Sequence, residues 1–134
     1  MQIYLASSLK NYKINSQIAN FIVQHNFKCF LPQRDTPQYH NQLTKQINIT
    51  AIQNSDIILI VGKNLGNDTA WEIGFAKGIG KLTILLSTDA ELDKLRKSIM
   101  IFFSVDKVLH LSSYSELNPM LELLYLYNSG SVIS

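Results

Sequence analysis

A single cysteine, Cys29, stands among the 134 residues, so no disulfide can close within this chain. With no signal-peptide pattern at the start, a reducing, cytoplasmic setting is the expectation. Charge is sparse as well. Only 16% of the residues are Asp, Glu, Lys or Arg, 12 basic against 10 acidic, for a net charge of +2. No run of Lys or Arg marks a nucleic-acid-binding face. No apolar stretch approaches the roughly 18 residues that span a bilayer. Neither nucleic acid nor membrane is therefore expected as a partner. His25, His40 and His110 show no metal-ligand spacing with one another or with Cys29. They read as surface or core-edge residues, and no metal or cofactor is expected. A P-loop, a G-x-G-x-x-G turn and a Ser-His-Asp order are all missing. "GIGK" (78–81) reads as a helix end and its turn rather than a phosphate loop.

What the chain does have is apolar and periodic. Apolar residues make up 46% of it, which suits one globular domain over residues 1–134. Short apolar runs alternate with helical patterns. "QIYLA" (2–6), "KCFLP" (28–32), "DIILIVG" (56–62), "KLTILLS" (81–87) and "KVLHLS" (107–112) read as strands. Helical spacing covers residues 12–25, 42–54, 69–79, 89–98 and 116–127, while 33–41 reads as a polar loop. The run at 56–62 is apolar at nearly every position, as a strand covered on both faces requires. Alternating strands and helices predict an α/β fold. It is a doubly wound, five-stranded parallel sheet in a flavodoxin-like three-layer sandwich. A ligand is then expected outside the carboxyl ends of the strands, where loops begin near Ala6, Pro32, Gly62, Leu86 and Ser112.

One stretch at that edge carries chemistry. "NDTAWEIGFAKGIGK" (67–81) holds the only Trp and, after it, Glu72. Asp68 or Thr69 could cap a helix starting here, which would make Glu72 a capping-box acid in the first turn. Gly74 and Ala76 would keep the helix slim against the sheet, and Gly62 and Gly66 flank a loop with little bulk. On that pattern Glu72 lies at the floor of a cleft. Both readings of Glu72 stay open on spacing alone. Asp56 reads as an acid that hydrogen-bonds at a strand start.

"IYLASS", "LPQRD", "NSDIILIV" and "NDTAWEIGFAKGIGK" occur in the order found in the nucleoside 2-deoxyribosyltransferase family. That family includes the 2′-deoxynucleoside 5′-phosphate N-hydrolases. The chain resembles this family over roughly residues 2 to 110, and "TAWEIGFA…GK" is the most specific element. The resemblance implies an enzyme cleaving the N-glycosidic bond of a nucleoside or nucleotide. Glu72 would be the nucleophile that forms a glycosyl ester, and Tyr4 the residue that orients it. Ser98 and Met100, in "SIM", would reach a neighbouring subunit's site, which implies a homodimer or a higher homo-oligomer. Gln33 and Arg34 would recognise base or phosphate, and Ser7, with Ser8 and Ser98, would surround a 5′-phosphate. Two positions depart from the best-known transferases. Gly66 and Asn48 stand where those carry aspartates, with Asp68 two residues after Gly66. Asp68 and Asn48 are therefore expected as polar substrate-site groups, and the substrate class stays open. The alternatives are a 5′-monophosphate N-hydrolase or a non-catalytic nucleotide-binding module. A phosphoribohydrolase of the lysine-decarboxylase-like group ranks lowest, because "GNDTAWE" lacks that group's paired glycines.

Overall fold

Ile57–Val61 (β3) is buried at every residue, and it becomes the central strand. The computed structural model describes residues 1–130, so the last four residues of the expected domain lie outside the described part. Gln2–Ala6 (β1), Lys28–Phe30 (β2), Leu82–Ser87 (β4) and Lys107–His110 (β5) complete a sheet of order β2-β1-β3-β4-β5. All four pairings are parallel. This is the expected doubly wound sheet.

Side chains alternate between the two faces of a strand, so each strand feeds two cores. Ile3, Leu5, Ile57, Leu59, Ile84 and Leu86 pack on one face against Tyr12–Gln24 (α1) and Asn118–Asn128 (α7). Tyr4, Ala6, Ile58, Ile60 and Leu85 turn to the other. There they meet Gln42–Gln53 (α3), Asn67–Gly78 (α4) and Asp89–Lys97 (α5). Tyr4 is thus committed by register to the α3–α4 face.

Several boundaries differ from expectation. Within the stretch expected to be loop, Pro32–Asp35 forms a short helix (α2), because Pro32 suits the first turn after Leu31. Ser98 interrupts the helical stretch after α5, and a further short helix follows at Ile99–Phe102 (α6). Helix α4 starts at Asn67 with Gly66 as N-cap, so neither Asp68 nor Thr69 caps it. Gly74 faces solvent, where an added Cβ would meet nothing; Ala76 alone makes the close approach to the sheet. Gly62 is the glycine that packing demands. A Cβ there would sit 2.8 Å from the Leu86 carbonyl oxygen and 2.7 Å from Leu95 Cδ1. At "GIGK", Gly80 takes φ +80° and the Lys81 N–H bonds the Ala76 carbonyl at 2.9 Å, a helix-ending turn as expected.

Candidate active site

The chain leaves β1 for β2 on one side and returns to β3 on the other. The connections therefore diverge between β1 and β3, and doubly wound sheets open their ligand crevice at such a point. A cleft of about 710 Å³ lies there. Its walls are the loop after β1 (Ser7 to Lys10), the start of α4 (Gly66 to Thr69) and the α3 side chains Thr44, Asn48 and Ile52.

Glu72 lies on the lining of this cleft. With Gly66 as N-cap, Glu72 falls in the second turn of α4, too far along to serve a capping box. Its partner is instead Tyr4, whose hydroxyl donates to Glu72 Oε2. Tyr4 is wholly buried and stacks on Phe30, with ring centroids 5.6 Å apart and planes 8° from parallel. The phenol is therefore held rigidly under the carboxyl. Burial pushes the Glu72 carboxyl up to about 7; the Tyr4 hydrogen bond opposes that, and the negative charge of Asp68 adds to it. The Tyr4 phenol is itself raised, first by burial and then by the charge of Glu72, so it stays a proton donor. A carboxyl in this state switches between acid and carboxylate near neutrality and can serve as nucleophile once ionised.

The structure brings Ser7, Asn48, Gly66, Asp68 and Glu72 together around the cleft, with Tyr4 beneath. Asp68 and Glu72, four residues apart, share a face of α4. Asn48 accepts a 2.6 Å hydrogen bond from Thr36 Oγ1 on its Oδ1. Gln33 and Arg34 do not line the cleft. Gln33 accepts from Asn15 Nδ2 at 3.0 Å and donates to the Tyr12 carbonyl at 2.9 Å, on the α1 side of the sheet. Arg34 is engaged by Asp35 and by the Cys29 carbonyl, both at 2.7 Å. Ser98 and Met100 also lie away from this chain's cleft; Met100 is 81% exposed. Asp56 accepts the Gln2 N–H at 2.9 Å and does the structural work expected of it.

Sequence reading missed other groups on the lining: Lys45 and His40, together with Gln38 and Asn41. His40 was expected at the surface or core edge. Its position comes from a left-handed turn, φ 53°, after α2, for which the sequence carries no signal. Lys10 could have been found, since it lies in the loop after β1, at the edge where a ligand was expected.

Three comparisons bear on this geometry. The 2-deoxyribosyltransferase of the psychrotolerant bacterium Bacillus psychrosaccharolyticus superposes with a TM-score of 0.70 at 22% identity, over 87% of this chain and 90% of that one. A CMP N-glycosidase of Clostridium botulinum superposes with a TM-score of 0.67 at 17% identity, over 91% of this chain and 99% of that one. At these identities the likeness is one of fold. No curated protein sequence matches the chain. The sequence model of nucleoside 2-deoxyribosyltransferase matches residues 3–109, and the chain belongs to that family.

Proposed function

We propose that the protein cleaves the N-glycosidic bond of a (deoxy)nucleoside through a covalent glycosyl ester on Glu72. The observation that carries this is the buried Tyr4 hydroxyl bonded to Glu72 Oε2 at the cleft lining. Tyr4 occupies one carboxyl oxygen, which leaves Oε1 to approach the anomeric carbon. The C1′–N bond breaks and its electron pair leaves with the base, which takes up a proton. The bond from C1′ to Glu72 Oε1 forms. Water or a second base then attacks C1′, and the carboxylate is released. Ionised Glu72 and Asp68 on one helix face both oppose the positive charge that develops on the sugar. Asn48 is held by Thr36 through Oδ1, so its Nδ2 is turned toward donating to a base carbonyl or ring nitrogen.

A second form of this reaction, hydrolysis of a 2′-deoxynucleoside 5′-monophosphate, is favoured by Lys10 and Lys45 on the lining beside Ser7 and Ser8. These supply the cations and hydroxyls a phosphate needs. The working unit we infer is a homodimer, with Ser98 and Met100 of one protomer completing the cleft of the other. Its support is the apolar exposure at and just after α6, where Ile99, Met100 and Phe103 are 64%, 81% and 75% exposed. Nucleoside salvage in the cytoplasm is the setting that suits this chemistry.

The test is incubation with a 2′-deoxynucleoside plus a second free base, and separately with the four 2′-deoxynucleoside 5′-monophosphates. Base exchange identifies a transferase, and base release without exchange a hydrolase. Ligand-dependent thermal stabilisation with no product would identify a binding module and overturn the catalytic reading.

A further inference from the structure

We propose that Asn11 is a positioning residue that sets Ser7 as a hydrogen-bond donor to an oxygen of the substrate. It rests on the glycosidic chemistry proposed above. Asn11 ends the short 3-10 turn at Leu9–Asn11 and is only 3% exposed, unusual for an amide with no place in a regular ladder. Its side chain joins the two loops that bound the cleft. Nδ2 donates to Ser7 Oγ at 3.0 Å, on the loop after β1. The same Nδ2 donates at 2.7 Å to the Lys63 carbonyl, on the loop after β3. Oδ1 accepts from Asn64 Nδ2 at 3.0 Å, and Asn64 is held in a left-handed turn at φ 53°. One turn later on the same side, Asn15 Nδ2 donates to the Ser8 carbonyl at 3.1 Å, and this side chain too is only 2% exposed. Two buried amides therefore hold the Ser7–Ser8 wall from behind.

The direction of the first bond has a chemical consequence. An amide nitrogen can only donate, so Ser7 Oγ must accept from Asn11. The hydroxyl hydrogen of Ser7 is then directed elsewhere. Among the described residues its acceptor is the Ser8 carbonyl at 3.5 Å, far longer than a good O–H···O bond of about 2.7 Å. A substrate oxygen in the cleft, on the 5′-hydroxyl or a 5′-phosphate, would accept that hydrogen in better geometry. Asn11 thus specifies the polarity of Ser7, and its bond to Lys63 specifies the distance between the two walls. Asn11→Asp keeps the shape and reverses the polarity. A carboxylate would draw the Ser7 hydrogen inward and away from the substrate.

The experiment is steady-state kinetics of base release from the four 2′-deoxynucleosides and their 5′-monophosphates, with and without a second free base. It uses wild type, Ser7→Ala, Asn11→Asp and the double variant. Ser7→Ala should raise KM about tenfold, the scale of one lost hydrogen bond to a polar ligand. Asn11→Asp should raise it comparably while kcat stays within about twofold, and it should add less on top of Ser7→Ala than it does to wild type, the remainder coming from the lost bond to Lys63. An unchanged KM in Ser7→Ala overturns the proposal, even where Asn11→Asp fails to fold. Effects of Asn11→Asp that persist undiminished on top of Ser7→Ala overturn it too, since Asn11 would then act through the fold. Wild-type protein that neither releases base from any of the eight compounds nor exchanges it with the added base removes the proposed function itself, and this assignment with it.

Discussion

Two tyrosine–glutamate pairs lie at the carboxyl edge of the same sheet, and they have opposite characters. In each, a buried phenol donates to a carboxyl on a neighbouring helix: Tyr4 to Glu72 and Tyr114 to Glu91. Glu91 is the third residue of α5. It also accepts from the Thr88 N–H at 3.0 Å and the Thr88 hydroxyl at 2.9 Å, in a complete capping box. All of its hydrogen bonds go to its own structure. Glu72 sits a turn deeper in α4, has Tyr4 as its hydrogen-bond partner among the described residues, and faces a cleft. A satisfied acid stabilises a helix end. An acid with one fixed partner and one open side is available for chemistry.

Exchanging each acid for alanine should separate these roles most widely. Glu72→Ala should lower base release at least about 10³-fold and leave the unfolding midpoint nearly unchanged or raised. Glu91→Ala should cost about 1–3 kcal/mol in denaturant unfolding, because the Thr88 N–H and the Tyr114 hydroxyl lose their acceptor, and should leave kcat near wild type. Retained turnover in Glu72→Ala would end the nucleophile assignment.

Removing each phenol hydroxyl should give the next largest effect. Tyr4 lowers the Glu72 pKa through its hydrogen bond. In Tyr4→Phe the acid limb of the rate profile should therefore move to higher pH, with kcat down about 10- to 100-fold at neutrality. Tyr114→Phe should cost about 1 kcal/mol and leave the pH profile where it was.

The raised carboxyl also makes a statement about stability. An acid whose folded-state pKa exceeds its unfolded value favours the folded state while protonated, and that contribution is lost as pH rises. Between about 4.5 and about 7 the chain should lose up to about 3 kcal/mol on account of Glu72, with no further loss from it above that range. Activity should run the other way and rise with pH through about 7 as the nucleophile ionises. Glu72→Gln should flatten the stability curve across this window, measured as urea midpoints from pH 4 to pH 8. An unaltered slope would mean that the carboxyl is not desolvated.

The contrast also explains what was legible beforehand. The sheet could be read because its inner strands are buried on both faces, so β3 is apolar at every position from Ile57 to Val61. Glu72 could be found as an acid in an apolar, glycine-rich setting, yet its role could not be decided by spacing. The pattern Thr69-x-x-Glu72 fits a capping box, and only the start of α4 at Asn67 shows that Glu72 lies beyond one. Where Gln33 and Arg34 point depends on Pro32 starting α2, which turns that loop toward α1 and Asp35. Lys45 and His40 reach the cleft by the rotation of α3 and one left-handed residue, both set by packing rather than by local pattern.

What lies above each pair differs as well, and it yields the smallest predicted effect. Above Glu72 the cleft carries Lys10 and Lys45, both exposed, while Glu91 is enclosed by Thr88 and Tyr114. Exposed cations attract a phosphate weakly, by about 0.2–1 kcal/mol each, and salt screens them over roughly 10 Å. Lys10→Ala or Lys45→Ala should therefore raise KM for a 2′-deoxynucleoside 5′-monophosphate only about two- to fivefold. The effect should shrink in 0.5 M NaCl, and KM for the unphosphorylated nucleoside should not change. Selectivity is the informative part. A lysine that merely shapes its loop would shift both substrates alike, and the shift would survive high salt. A lysine that meets the phosphate must distinguish the two substrates, because only one of them carries the charge it answers.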